Sequence, residues 1–277
     1  MNNKNSCRVA GAALASLAVM LSGCVEETAE TTVAQAEGGI CEGFGPQTPR
    51  DISKTAGANP KLFAFAPESE AMNLCNIHGH VNAEHKGPGF SIFAGATDDG
   101  GYACNLSTDL TAAERAPFTG EASFAGLVPG DSFEVHWVYT TCDVTPGEGL
   151  GSCLSDTCTS PSLRVESQVF QVVNDAGALD FADFAYAGTQ RAGLHQPRAL
   201  PDGTGDPVVF LGSTTGPKYT EAVCSPLEVT WSVRPDCAKL DIASVHRWAR
   251  EGNVFNETKA HGVRQLVTAP ALLARIE

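Results

Sequence analysis

The amino-acid sequence predicts a predominantly β domain with a few peripheral helices, and three observations predict it. Six segments (61–66, 91–95, 132–141, 162–173, 208–212 and 227–234) alternate apolar and polar residues with period two. They are rich in Val, Phe, Trp and Thr, which suit a pleated, partly buried surface. Helical periodicity is scarce, with 241–250 the best candidate and 270–276 a second, short one. Beyond Cys41, Gly and Pro are scattered rather than clustered and no repeat is visible, so residues 41–277 read as one domain. Hydrophobic residues make up 43% of the 277, enough to bury a sizeable core. Charged residues are 18% and the net charge is −14, a sign that argues against nucleic acid or an anionic membrane surface as partner.

The first forty residues read differently. Lys4 and Arg8 precede an apolar run over 9–21, the pattern of a signal peptide over 1–23, and the run is too short for a membrane span. It ends in Leu21-Ser22-Gly23-Cys24, which resembles the lipobox of bacterial lipoproteins and makes the Cys24 thiol the expected lipid acceptor. Removing residues 1–23 deletes two positive charges and no negative one, taking −14 to −16. Residues 24–40 are rich in Glu, Thr and Ala without apolar periodicity, as an acidic flexible tether would be. Val25 in place of Asp, by resemblance to enterobacterial lipoproteins, implies sorting to the outer membrane, with the domain in the periplasm or at the cell surface.

Of ten cysteines, Cys7 leaves with the signal peptide and Cys24 takes the lipid. The remaining eight (Cys41, Cys75, Cys104, Cys142, Cys153, Cys158, Cys224 and Cys237) imply disulfides in an exported chain. Spacing leaves the connectivity open, although Cys153 and Cys158 are near enough to close a short loop. A cysteine-based zinc site is disfavoured, because no Cys-x-x-Cys pair occurs.

The chemistry-bearing residues lie on two strands. In Asn76-Ile77-His78-Gly79-His80, residues two apart share a face, about 6.6–7 Å between Cα atoms, so both imidazoles can reach one ion at about 2.0–2.1 Å. Asn76 shares that face and is placed to hold one imidazole by its second nitrogen. In Phe133-Glu134-Val135-His136-Trp137-Val138-Tyr139 the odd positions are apolar and bound for the core, while Glu134, His136 and Val138 take the other face. A metal-bound histidine usually donates its other N–H to a carboxylate or carbonyl, a role Glu134 suits. Three histidines with an open fourth position are what a catalytic zinc needs.

These segments are similar to those of the carbonic anhydrases. Asn76–His80 resembles the Gln-x-His-x-His strand of the alpha class, Glu134-Val135-His136 its Glu-x-His strand, and Ala83-Glu84-His85 its Ser-Glu-His. Leu211-Gly212-Ser213-Thr214-Thr215-Gly216-Pro217 and Val229-Thr230-Trp231 resemble its Gly-Ser-Leu-Thr-Thr-Pro-Pro and Val-Thr-Trp. The delta class is nearer still: CEGFGPQTPRDI over 41–52, NLCNIHGHVNAEHK over 73–86, GSTTGP over 212–217, and Phe255-Asn256-Glu257, Ala260-His261-Gly262-Val263-Arg264 and Leu272-Leu273 follow its pattern over residues 41–277. The resemblance implies an alpha-carbonic-anhydrase-like fold around one large twisted, mostly antiparallel sheet. It also implies zinc on His78, His80 and His136, and reversible hydration of CO2 to bicarbonate and a proton by a zinc-bound hydroxide. Val138, Val165 and Trp231 become the pocket wall. Glu84 becomes the glutamate behind an orienting threonine, for which Thr214 is the choice, with Thr215 adjacent and Thr220 picked instead by spacing from Cys224. Two departures stand out: 55 residues separate His80 from His136, more than the alpha pattern has, and Gly79 replaces a bulky residue.

Other readings stay open on the sequence. His78, His80, Glu84 and His136 also fit a four-ligand cupin-type metalloenzyme, and a zinc-binding lipoprotein without enzymatic activity would need the same histidines. No histidine lies between 41 and 77, where the alpha pattern puts its proton shuttle, and none of His85, His195, His246 and His261 is assigned that role. Oligomeric state is not legible.

Overall fold

Alternation in the sequence becomes a six-stranded mixed sheet. The structure, a computed structural model, describes Gly39 and residues 41–96, 100–215, 218–251 and 253–277. The expected signal peptide, the lipid site Cys24 and all of the tether except Gly39 lie outside the described residues. In chain order the strands are β1 (Asn73–Val81), β2 (Ile92–Gly95), β3 (Gly101–Ala103), β4 (Ser132–Thr140), β5 (Leu163–Val173), β6 (Gln190–Arg191), β7 (Leu194–His195), β8 (Val208–Ser213), β9 (Glu228–Val233) and β10 (Ala238–Asp241), and one helix follows, α1 (Ile242–Arg250). The large sheet has the order β1-β4-β5-β9-β8, with β10 also on β5. β1–β4, β4–β5 and β8–β9 are antiparallel. β5 takes two parallel partners end to end on one side: β9 against Arg164–Ser167 and β10 against Phe170–Val173. β2–β3 and β6–β7 form two small separate ladders.

Every residue of β4 is buried, because the sheet is covered on both faces. On one face Ile77, Phe133, Val135, Trp137 and Phe170 pack against Phe181 and Trp248. On the other, Val138, Val165, Val169, Phe210, Trp231 and Val233 form a second core, and this is the face that carries the histidines. Each such large side chain contributes about 1.5–3 kcal/mol by leaving water. Helix α1 closes the first core with Ile242, Val245 and Trp248 along one stripe. Asp241 caps its N-terminus by accepting the Ala243 N–H at 3.3 Å.

β1 is an outer strand of this sheet, yet its free side is occupied. Val81 donates to the His261 carbonyl (2.9 Å), His261 donates to the Gly79 carbonyl (2.8 Å), and Gly147 donates to the Cys75 carbonyl (3.0 Å). Three disulfides join distant parts of the chain, Cys41–Cys224, Cys75–Cys153 and Cys104–Cys237, and a fourth, Cys142–Cys158, closes a local loop. The short loop expected between Cys153 and Cys158 is therefore not closed by them. Cys153 is drawn to β1 and Cys158 to the end of β4, which the chain's path over the sheet brings nearer.

Two further expectations fail for local reasons. Segment 61–66 alternates like a strand but pairs with none: Leu62 and Phe65 are exposed, and the Ala66 N–H finds the Thr230 side-chain oxygen (2.8 Å) instead of a ladder partner. At 270–276 only one 3-10 turn forms, Pro270–Leu272, after which Leu273, Ala274 and Ile276 bury themselves in extended chain. Among the described residues no helix is long and apolar enough to cross a membrane.

Candidate metal centre

His78 and His80 leave the same face of β1, and register sets His136 of β4 directly opposite His78. The three rings lie 5.2 Å (His78–His80), 5.1 Å (His78–His136) and 4.8 Å (His80–His136) apart by centroid. One ring nitrogen from each falls within 4.8 Å of the others. His78 Nε2 is 3.3 Å from His136 Nδ1. Two nitrogens bound tetrahedrally to one zinc at about 2.0–2.1 Å would be about 3.3 Å apart, so the spacing fits a shared ion.

Each ring has a polar group behind it, and for two of them that group is a hydrogen-bond partner. Asn76 commits its Nδ2 to the Gly147 carbonyl (3.0 Å), which turns Oδ1 toward His78 Nδ1 at 2.7 Å. His78 is thereby the Nδ1–H tautomer, with the Nε2 lone pair facing the cluster. His80 Nδ1 donates to the Gly262 carbonyl at 3.0 Å, and its buried Nε2 has no protein partner. His136 turns Nε2 to Glu134 Oε1 at 3.4 Å. Burial pushes the His78 imidazole well below its ordinary pKa, helped by His136 and His80. Burial lowers His80 as well, against Glu84. Neutral rings with inward lone pairs are metal ligands in waiting, and His80 Nε2 is otherwise an orphaned buried atom.

Glu134 anchors the arrangement. It accepts from the Glu84 N–H (2.6 Å), Ser167 Oγ (2.8 Å) and His85 Nδ1 (3.2 Å). Burial opposes its charge, but His136 and His85 outweigh that and hold the carboxyl well below the usual range. His85, 4.6 Å from the Trp231 ring, is thus part of this support.

Val138, Val165 and Trp231 line one cavity of about 450 Å³ together with His78 and His136. Leu150 and Leu154, from the loop between β4 and β5, line it too. A second cavity of about 830 Å³, bordered by His80, Glu84, Glu148, Glu257 and His261, shares His78, Leu150 and Thr215 with the first, so the histidines sit where the two meet. Thr214 lines the apolar cavity, but its hydroxyl pairs with that of Ser225 (2.8 Å) and is not brought to Glu84. Glu84 is buried, its Oε1 accepting the Arg264 N–H (3.3 Å) and its Oε2 unpartnered. Glu84 Oε1 faces His80 Nδ1 at 3.6 Å, the nitrogen already given to Gly262 rather than the inward one, which disfavours Glu84 as a fourth ligand.

Sequence reasoning missed the C-terminal contribution. The Gly262 carbonyl orients His80. His261 brings its ring to 5.8 and 5.7 Å from those of His78 and His80. Glu257 accepts from both the Gly79 N–H (3.1 Å) and the His261 ring (2.9 Å). The bond to Glu257 raises the His261 pKa. The Ala260–Arg264 and Phe255–Glu257 motifs were the available signal. His195 instead meets the Tyr186 hydroxyl (2.8 Å), and His246 accepts from the Ser123 and Phe124 amides, both away from the cluster.

No curated protein sequence matches the chain. Solved structures similar at low identity include two carbonic anhydrases. One is a hyperthermostable carbonic anhydrase from an active hydrothermal vent chimney (15% identity, 83% of this chain and 86% of that one, TM-score 0.34). The other is the alpha-carbonic anhydrase of Thermovibrio ammonificans in complex with sulfanilamide (15%, 78% and 82%, TM-score 0.28). Similarity at that level adds nothing to the assignment, which a family model carries: the one described as delta carbonic anhydrase matches residues 69–244. With that match spanning more than half of its length, the chain belongs to the delta carbonic anhydrase family.

Proposed function

We propose that the protein catalyses the reversible hydration of CO2 to bicarbonate and a proton, with Zn2+ held by His78, His80 and His136. One observation carries the reading: three imidazoles bring ring nitrogens within 4.8 Å of one another where two cavities meet, with Asn76 and the Gly262 carbonyl orienting His78 and His80 and Glu134 lying 3.4 Å from His136. Zinc, when bound, supplies Lewis acidity that brings the pKa of a water in its open position near neutrality, a property known from carbonic anhydrases themselves. The chain's own residues do the rest. Val138, Val165 and Trp231 offer CO2 a dry wall and keep competing water from it. Neutral His78, His80 and His136 leave the cation its full charge. Glu84 is the hydrogen-bond acceptor for an orienting hydroxyl, for which Thr214 is the candidate; joining them requires that hydroxyl to leave Ser225.

Four disulfides support an oxidising compartment, and in this reading the domain is exported and tethered by a lipid on Cys24 through residues 24–40. The test is metal analysis with CO2 hydration, before and after chelation. His136→Ala is expected to lose both zinc and activity; one equivalent of zinc retained in that variant would refute the site.

A further inference from the structure

The loop between β4 and β5 does more than wall the apolar cavity. Its Gly147 carbonyl takes the Asn76 Nδ2–H (3.0 Å), and that bond fixes which end of the Asn76 amide faces His78. The loop is held at this height by β1 itself. Cys153 is bonded to Cys75, three residues before His78, and the Cys75 carbonyl accepts from the Gly147 N–H (3.0 Å) and Ser152 Oγ (2.8 Å). Thr140 Oγ1 donates to the Cys153 carbonyl from β4 (2.9 Å). Were the loop to lift, the Asn76 amide could rotate and present its NH2 to His78 Nδ1. Nδ1 would then become the acceptor and Nε2 the protonated nitrogen, which is useless to a cation.

We infer that the Cys75–Cys153 disulfide is a positioning device for the metal site, selecting the ligand-competent tautomer of His78 through Gly147 and Asn76. It rests on the three-histidine reading above. Cys142–Cys158 closes the same loop at its base, lines neither cavity, and serves as the internal control.

The experiment uses the full chain and zinc ion alone, titrated against a chromogenic chelator, with nitrogen NMR of the histidines in the metal-free protein as second readout. Cys75→Ser with Cys153→Ser should weaken zinc affinity about tenfold, the usual scale for losing an outer support of a ligand. It should also convert His78 from the Nδ1–H form to a mixture. Cys142→Ser with Cys158→Ser should change neither. In an Asn76→Ala background, removing Cys75–Cys153 should cost little more, since the device acts through that amide. A folded Cys75/Cys153 variant with wild-type zinc affinity and wild-type His78 tautomer would overturn the inference. So would an equal loss without Asn76, or an equal loss on opening Cys142–Cys158. If the first variant does not fold, Ser152→Ala removes one bond to the Cys75 carbonyl and should shift both readouts in the same direction; no shift overturns the inference. Failure of the wild-type protein to bind zinc would sink the proposed function instead, while the metal-free tautomer would still test the loop.

Discussion

At Gly79 a β-carbon would sit 2.2 Å from two atoms of the Phe133 ring, so the side-chain space between the two β1 ligands is filled from β4. Sequence reading marks the glycine as a departure from the family pattern that weakens the strand. What it does not reveal is the compensation, because Phe133 lies far along the chain and only register brings it near. Gly79→Val should destabilise the protein by about 1–3 kcal/mol through overpacking, read from the urea midpoint. Replacing Phe133 by Leu in that background should recover part of the loss, and zinc stoichiometry should hold, because Phe133 belongs to the face opposite the histidines. His78, His80, His136, Asn76 and Glu134 were legible because period two fixes which residues share a face. The hydroxyl partner of Thr214 was not: Ser225 lies beyond a turn whose path no periodicity encodes.

Among elements, β4, β5, β8 and β9 follow the alternating segments closely, and α1 follows the helical one with Asp241 serving as its cap. β10 went unseen because four residues, Ala-Lys-Leu-Asp, carry too little pattern. It is secured from outside: Lys239 on β10 pairs with Glu114, which also accepts from the Thr111 backbone and hydroxyl (2.8 and 2.9 Å). The bond from Lys239, and then those from Thr111, lower the Glu114 pKa from 4.5 to about 2. A carboxyl depressed on folding contributes stability that is fully present above its unfolded pKa and is lost as pH falls through the folded one. Glu114→Gln should therefore be less stable than wild type at neutral pH. The two denaturation curves should converge between about pH 4.5 and 2; a gap that stayed constant with pH would contradict the role.

For the molecule as a whole, covalent links do what short-range contacts cannot. Cys104–Cys237 spans 133 positions and ties the end of β3 to the break between β9 and β10, both beside the core that carries the site. Its removal, Cys104→Ala with Cys237→Ala, should cost about 2–5 kcal/mol, measured as a lowered denaturant midpoint. Eight paired cysteines were foreseeable from an even count in an exported chain. Their connectivity was not, since it depends on how the sheet stacks distant segments. The same distance rule governs the histidines: two were set by neighbouring residues, but the carbonyl that orients His80 is 182 positions away. Because residues 257–262 both line the open side of β1 and orient His80, the cation's seat is complete only when a segment far along the chain from the ligands docks beside them. With that segment undocked all three imidazoles remain, but His80 loses the carbonyl that aims it.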